Sequence, residues 1–370
     1  MSFKRFVQLS CIVVTLFLLV HLILYQFTKE ALAWPERIIK RSAITGRHEP
    51  LKHVEVVTIG DLARLSYLYR LGTERVNVDT SDRLGYLNKN NDKSKQYPVV
   101  VVGDSFMLCN GDDRRFTDLL KNKLNINCYN MAANGVEDPF TFLLSDFKKE
   151  AKILVWEAVE RNIKADTFNM EYYDYYFAES KKKMELVDQW NRQQNFNKQL
   201  KIVNSSNLKF VINNLSYSLT GEPLIGDADI AKLDNGKELL FYKNDLISFQ
   251  RLNSSQDLER SVEFITRIDR ELKNSGVTLI FFAVPDKYDA YYEGITGEKK
   301  LKNDAHFIES LTRELQKNNV IAVNLKDPFR TAIGQGKDLY HFDDTHWNTE
   351  GAETAAELVA REIKTRGLLD

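Results

Sequence analysis

Between Tyr97 and Gly103 the chain reads Tyr-Pro-Val-Val-Val-Val-Gly, a short β-branched run without a polar position on either face. A half-buried strand alternates apolar with polar residues. This one does not, so it belongs inside a parallel sheet covered by helices on both sides. The downstream pattern agrees. Phe116, Leu119, Leu120 and Leu124 recur at helical spacing, residues 126–129 read as a second strand and residues 153–156 as a third. Asn253-Ser254-Ser255 is placed to cap a helix whose apolar positions Leu258, Val262, Ile265, Ile268 and Leu272 share one face. Gly276 ends that helix, residues 277–284 form another buried strand, and a last amphipathic helix runs from about Glu350 through Ile363. The alternation predicts an α/β fold with a mostly parallel sheet.

Two stretches stand apart. Residues 6–27 are overwhelmingly apolar and uncharged, about the span of a bilayer, with Lys4 and Arg5 just before them. A transmembrane helix follows from that pattern, with its basic end in the cytoplasm and the remaining chain outside. The rival is a cleaved signal peptide, with Ala31-Leu32-Ala33 as the processing site, against which the length of the apolar run argues. Residues 29–96, with Pro35, Pro50 and a polar run from Asn88 to Lys95, read as a juxtamembrane stalk and linker with some local helix near residues 62–69. The organised domain is then 97–370, preceded by a tip and anchor at 1–28. It carries an insertion at about 166–249, rich in Tyr, Asn and Lys, with a charged helical run around residues 181–190. The cluster Tyr172, Tyr173, Tyr175, Tyr176 and Phe177 in that insertion either lines a polysaccharide cleft or packs as the edge of a helix on the core.

Charge excludes some functions. Lys and Arg total 51 against 52 Asp and Glu, so nothing draws the chain to nucleic acid or other polyanions. The cysteines are Cys11, Cys109 and Cys128, with no Cys/His cluster at metal-ligand spacing, so neither a metal nor a cofactor is expected. Outside the cytoplasm Cys109 and Cys128 either pair or stay two buried thiols.

The chemistry concentrates at two points. At Gly103-Asp104-Ser105-Phe106 the chain leaves the buried strand for a helix, which puts Ser105 at the carboxyl edge of the sheet, where such folds bind ligands. A serine there needs a base to become a nucleophile; the bland reading is a helix cap. Of six histidines, His21 lies in the apolar span, His48 and His53 in the stalk and His306 in a surface helix, leaving His341 and His346. His346 has Asp343 and Asp344 three and two residues before it, either of which can hold its ring.

These segments together resemble the SGNH (GDSL-like) hydrolases, which open on a Gly-Asp-Ser block and close on Asp-x-x-His, here Asp343-Asp-Thr-His346. The resemblance implies the family's flavodoxin-type three-layer sandwich, with Cys128-Tyr-Asn-Met-Ala-Ala-Asn134-Gly135 as its second block. It makes Ser105 the nucleophile, His346 the base and the Gly135 N–H an oxyanion donor, with Asn134 beside it. The third block, normally Gly-x-Asn-Asp, is replaced by Val155-Trp-Glu157-Ala-Val-Glu160-Arg161. Trp-Glu with Glu-Arg, Val284-Pro-Asp286-Lys287 and Asp344-Thr-His346-Trp347 look like the alginate O-acetyltransferase branch, which favours Asp344 as the partner of His346. Members of that branch carry the Asp-His motif before the serine, however, so Asp343 stays open. Arg161 either pairs with Glu157 or Glu160 as a prop or binds substrate with Trp347. The implied activity is O-acetyl transfer to an extracytoplasmic polysaccharide, with acetyl delivered by a multi-spanning membrane protein. A carbohydrate acetylesterase and a non-catalytic polysaccharide-binding subunit are the alternatives.

Overall fold

The computed structural model describes residues 2–32, 38–89, 96–186, 205–251 and 254–369. Among the described residues, nine strands form three sheets: β1 (His53–Thr58) with β2 (Arg75–Thr80), then β3 (Val99–Val102), β4 (Cys128–Asn130) and β5 (Ile153–Val159), then β6 (Ala228–Lys232) with β7 (Glu238–Tyr242), and finally β8 (Thr278–Val284) and β9 (Ile321–Asn324). The central sheet has the order β4-β3-β5-β8-β9, every pair parallel. In chain order this is 2-1-3-4-5, the flavodoxin-type arrangement, whose switch point lies between β3 and β5.

The four valines of β3 are fully buried on both faces, as expected. Val99 and Val101 pack with the helices Phe116–Leu124 and Thr349–Thr365. Val100 and Val102 pack with Asp138–Leu144, Ser255–Asn274 and Phe307–Lys317. The second strand begins two residues later than the sequence pattern indicates. Ser254 caps the helix Ser255–Asn274 by accepting from the Asp257 N–H at 3.2 Å; Asn253 lies outside the described residues.

The expected stalk is the main correction. Residues 38–89 fold onto the domain, with β1 and β2 pairing as an antiparallel ribbon and the short helix Asp61–Leu65 between them. Gly60 shows how close the seam is: a Cβ there would meet the Asp343 carbonyl oxygen at 1.8 Å. The Asp82 carboxylate accepts from the Tyr129 hydroxyl at 2.6 Å, and the Arg115 guanidinium ties Asp79 to Asp112. The linker run is described only up to residue 89, the charged run only up to 186, and of the processing site Ala33 lies outside the described residues.

Between β5 and β8 the insertion supplies the helices Tyr173–Glu185, Ser205–Thr220 and Lys243–Arg251 and the β6–β7 hairpin. Of its aromatic cluster, Tyr173 and Tyr176 pack as a helix edge, with the rings of Tyr173 and Phe140 5.0 Å apart and Tyr176 buried against Phe140 and Phe264, while Tyr172, Tyr175 and Phe177 are exposed. Cys109 and Cys128 are separate free thiols. At the N-terminus, Phe3–Leu32 is one helix, and Phe3–Ile23 is long and apolar enough to cross a membrane.

Candidate active site

Ser105 leaves the carboxyl end of β3 on a single turn of 3-10 helix and is exposed at the switch point of the sheet. The turn is fixed from below by Asp104. One carboxylate oxygen accepts the Phe106 N–H at 3.1 Å, and the other accepts the Val159 N–H and the Asn162 side-chain amide, both at 3.2 Å. Gly103 permits this packing, because a Cβ there would meet the Glu157 carboxylate at 2.4 Å. That carboxylate accepts the Asp104 N–H at 2.9 Å.

The loop 341–348 brings His346 over this turn. Its Nε2 lies 2.7 Å from Ser105 Oγ, and its Nδ1 lies 2.6 Å from Asp344 Oδ1. Burial pushes the imidazole down, but the Asp344 carboxylate, with Asp61 adding to it, outweighs burial and the net shift is upward. Burial also disfavours the Asp344 carboxylate, yet His346 and Arg75 hold it well below the usual carboxylate range. The ring nitrogen facing Ser105 is thus poised to accept a proton, while the other is held by an ionised partner.

Several expected site residues do other work. Asp343 is buried and faces away from His346: its carboxylate accepts the N–H groups of Gly60 at 3.0 Å and Thr73 at 2.7 Å and pairs with Arg75 at 2.5 Å. Trp347 is fully buried among Phe106, Phe116 and Phe329, with its indole N–H donating to the Phe106 carbonyl at 3.1 Å, so it locks the loop to the serine turn. The side-chain amide of Asn134 donates to the Thr45 carbonyl at 2.8 Å, anchoring the N-terminal segment. Gly135 sits against Asp104, but its N–H points to Asp138 Oδ2 at 3.3 Å. That carboxyl group also gathers the Ala133 and Asn134 N–H groups, and burial pushes it up to about 7. Arg161 pairs with neither neighbouring glutamate. Its partners are Asp286 at 2.6 Å and the fully buried Asp245 at 3.5 Å, and it lies over the Phe106 ring at 5.7 Å.

Four further residues shape the site, of which the sequence had singled out only Lys287, as part of a motif and without a role. Lys287 is buried and donates to the carbonyls of His341 at 2.7 Å, Phe342 at 2.8 Å and Asp344 at 3.2 Å, bracing the histidine loop; burial lowers its ammonium to about 8. Arg75 bridges Asp343 and Asp344. Asp61 accepts the Thr345 N–H at 2.8 Å and its hydroxyl at 2.6 Å, and it stands 3.8 Å from His346 Nδ1. Asn162 directly follows the Glu-Arg pair, so the displaced third block was its only sequence cue. Asp61, Asp344 and His346 are close enough to one another to surround a cation. The Thr345 and Arg75 contacts already engage both carboxylates, which fits a relay better than a metal centre.

A parallel sheet in this order, with serine, histidine and aspartate side chains converging at its carboxyl edge, defines an SGNH hydrolase-like enzyme. Within that class the chain's similarity is to the AlgJ/AlgX branch. Residues 237–370 match the family described as the SGNH hydrolase-like domain of acetyltransferase AlgX. The chain is 30% identical over 112 residues to the "Probable alginate O-acetylase AlgJ" of Pseudomonas fluorescens, covering 30% of this chain and 28% of that protein. The corresponding Pseudomonas aeruginosa protein is 29% identical over 122 residues, 33% of this chain and 31% of the relative. The chain therefore spans less than a third of the length of these relatives. Among solved structures, an acetyl xylan esterase, AlAXEase, aligns over 72% of this chain and 99% of its own, at 10% identity and a TM-score of 0.36. The family match contains Asp286, Lys287 and the histidine loop but not Ser105, which enters the site through the fold.

Proposed function

We propose that this chain is a serine O-acyltransferase that places acetyl on a hydroxyl of an extracytoplasmic polysaccharide through an acyl-enzyme. The observation that carries the reading is the continuous path from Ser105 Oγ through His346 to Asp344, at 2.7 and 2.6 Å. His346 takes the Ser105 proton as Oγ attacks the acyl carbonyl, Asp344 stabilises the imidazolium, and collapse of the tetrahedral intermediate leaves acyl on Oγ and returns the proton to the leaving group. A sugar hydroxyl then repeats the sequence in reverse with His346 as base. Because the Gly135 N–H is engaged by Asp138, the oxyanion donors in this reading are the Ser105 N–H and the second N–H of the Asn162 side-chain amide, whose first goes to Asp104, each worth about 3–4 kcal/mol in the transition state.

The relatives' printed activity, alginate O-acetylation, supports transfer to a polysaccharide. The apolar helix Phe3–Ile23, whose first turn carries Lys4 and Arg5 at the cytoplasmic end, serves as a single-pass inner-membrane anchor that leaves the catalytic domain in the periplasm. Acetyl reaches Ser105 from a multi-spanning membrane donor protein. Exposure of Ser105 to solvent also favours a second reading, an acetylesterase in which water replaces the sugar hydroxyl. Incubation with a chromogenic acetyl ester, with and without acid polysaccharide, separates them. Acetyl recovered on the polysaccharide supports transfer, acetate alone supports the esterase, and no turnover of the ester under either condition rejects both.

A further inference from the structure

The helix Ser205–Thr220 carries apolar residues on two opposite sides. At about 3.6 residues per turn, Phe210, Asn213, Asn214 and Tyr217 share one side, and Leu208, Leu215 and Leu219 fall within about 40° of one another on the other. Val211 and Ile212 flank the leucines and widen that outer stripe to about 100°. The inner side has its partners. Asn213 is fully buried, its amide donating to the Ser66 and Ile225 carbonyls and its oxygen accepting the Ile225 N–H at 2.8 Å. The Phe210 ring lies 6.2 Å from Tyr69, and Tyr217 packs with Leu62 and Leu68.

The outer side is uncovered. Leu208, Leu215 and Leu219 are each more than half exposed, Leu219 the most at 76%. Lys209 is the only charged residue of the helix, and its ammonium lies off the stripe, 3.3 Å from the Tyr67 hydroxyl. A helix side that faces water is ordinarily polar, and a helix apolar all round is ordinarily covered all round. The fold itself points to the cover. The helix Phe3–Leu32, which contains the apolar span, lies alongside Ser205–Thr220 yet leaves the three leucines exposed. Five residues separate Leu32 from Ile38, so the start of the domain lies within roughly 20 Å of the end of that helix. An apolar stripe beside a membrane-spanning helix, on a domain tethered that closely, meets the lipid of the same bilayer.

We propose that the outer side of Ser205–Thr220 is a second membrane contact, with its leucines seated at the boundary between headgroups and acyl chains. The proposal rests on the anchor reading of Phe3–Ile23. Its consequence reaches the catalytic loop, because the inner side of the helix sits on residues 62–69, next to Asp61, which binds Thr345 and stands 3.8 Å from His346. The contact therefore holds the Ser105 edge of the sheet at a set height over the bilayer.

The test uses the full chain in phosphatidylethanolamine/phosphatidylglycerol vesicles, with an NBD fluorophore on single cysteines. Leu215→Cys and Leu219→Cys report the helix, and Asp146→Cys reports an exposed turn before β5, at the opposite, amino edge of the sheet. Each is made in a Cys11→Ser background, whose own labelling gives the blank for Cys109 and Cys128, and Cys11 of the parent reports the anchor. Lipids bearing a nitroxide on the acyl chain are expected to quench the two helix labels about threefold or more over the Asp146 label. Leu208→Asn with Leu219→Asn should at least halve lipid quenching at Leu215→Cys while the unfolding temperature is retained. Helix labels that aqueous iodide quenches as fully as the Asp146 label overturn the contact. So do helix labels that neither quencher reaches, as when a second copy or another protein covers them. Either result with Cys11 still quenched by lipid leaves the anchor standing, whereas lipid quenching of the helix labels without Cys11 removes the anchor and keeps the contact.

Discussion

Arg75→Met should be among the most informative substitutions away from the serine. The Arg75 guanidinium reaches Asp343 at 2.5 Å and Asp344 at 2.7 Å; its side chain is 16% exposed, and those of the two acids 1% and 13%. Methionine keeps most of the stem volume but leaves two adjacent, mostly buried carboxylates without their cation, a loss of about 3–5 kcal/mol. Asp343 retains the Gly60 and Thr73 N–H groups, which places the expected loss near the lower bound, about 3 kcal/mol. For a domain of this size that is a fall in unfolding temperature of roughly 6 °C or somewhat more. The pH dependence is a sharper check. A carboxylate held below its unfolded value contributes stability that is present above that value and lost as pH falls through the folded one. Because Arg75 helps to depress Asp344, parent and variant should differ most near neutrality and converge under acid, below about pH 4. Thermal melts by circular dichroism from neutral to acid pH give both quantities. Equal melting temperatures at neutral pH, or a gap that does not close under acid, would refute the bridge as a stabilising contact.

Three further outcomes follow from the site. Turnover of an acetyl ester should decline as pH falls through a value above the ordinary histidine range of about 6.5, and Asp61→Asn should move that midpoint down, because Asp61 contributes to the upward shift of His346; a pH–rate profile that Asp61→Asn leaves in place would contradict this. Trp347→Ala should cost about 3–5 kcal/mol in denaturant unfolding, as for a large buried aromatic, whereas a rise in KM with stability intact would restore the substrate-binding reading. Arg161→Met should also destabilise by about 3 kcal/mol or more, since it strips Asp286 and the fully buried Asp245 of their cation, and unchanged melting would show that the pair is dispensable.

The sheet was legible because β3 is buried on both faces and its sequence has no polar position to misplace. Ser105 and His346 were legible because the strand-to-helix turn and the acid-flanked histidine each follow local rules. What escaped is tertiary. Arg75 opens a ribbon strand of mixed exposure and Asp61 the short helix between the ribbon's strands, and their partners lie more than 260 residues along the chain, so no spacing announces them. Arg161 was read against Glu157 and Glu160, neighbours in sequence, but Glu157 belongs to β5 and Glu160 begins the turn after it, with its carboxylate turned to the Asp286 N–H. The arginine consequently reaches across to acids from other elements. Trp347 was read with its neighbour His346, yet it lies in an isolated β-bridge with Tyr340, where successive side chains point to opposite sides, one outward to Ser105 and one into the core.

The central claim is that acyl passes through Ser105. Brief incubation of the full chain with a chromogenic acetyl ester at mildly acid pH, where deacylation is slowed, followed by peptide mass spectrometry, tests it directly. The account predicts acetyl on the peptide containing Ser105 and on no peptide of the Ser105→Ala protein, which should also release no chromophore above background. Acetyl carried by another residue, or turnover that survives Ser105→Ala, would contradict it.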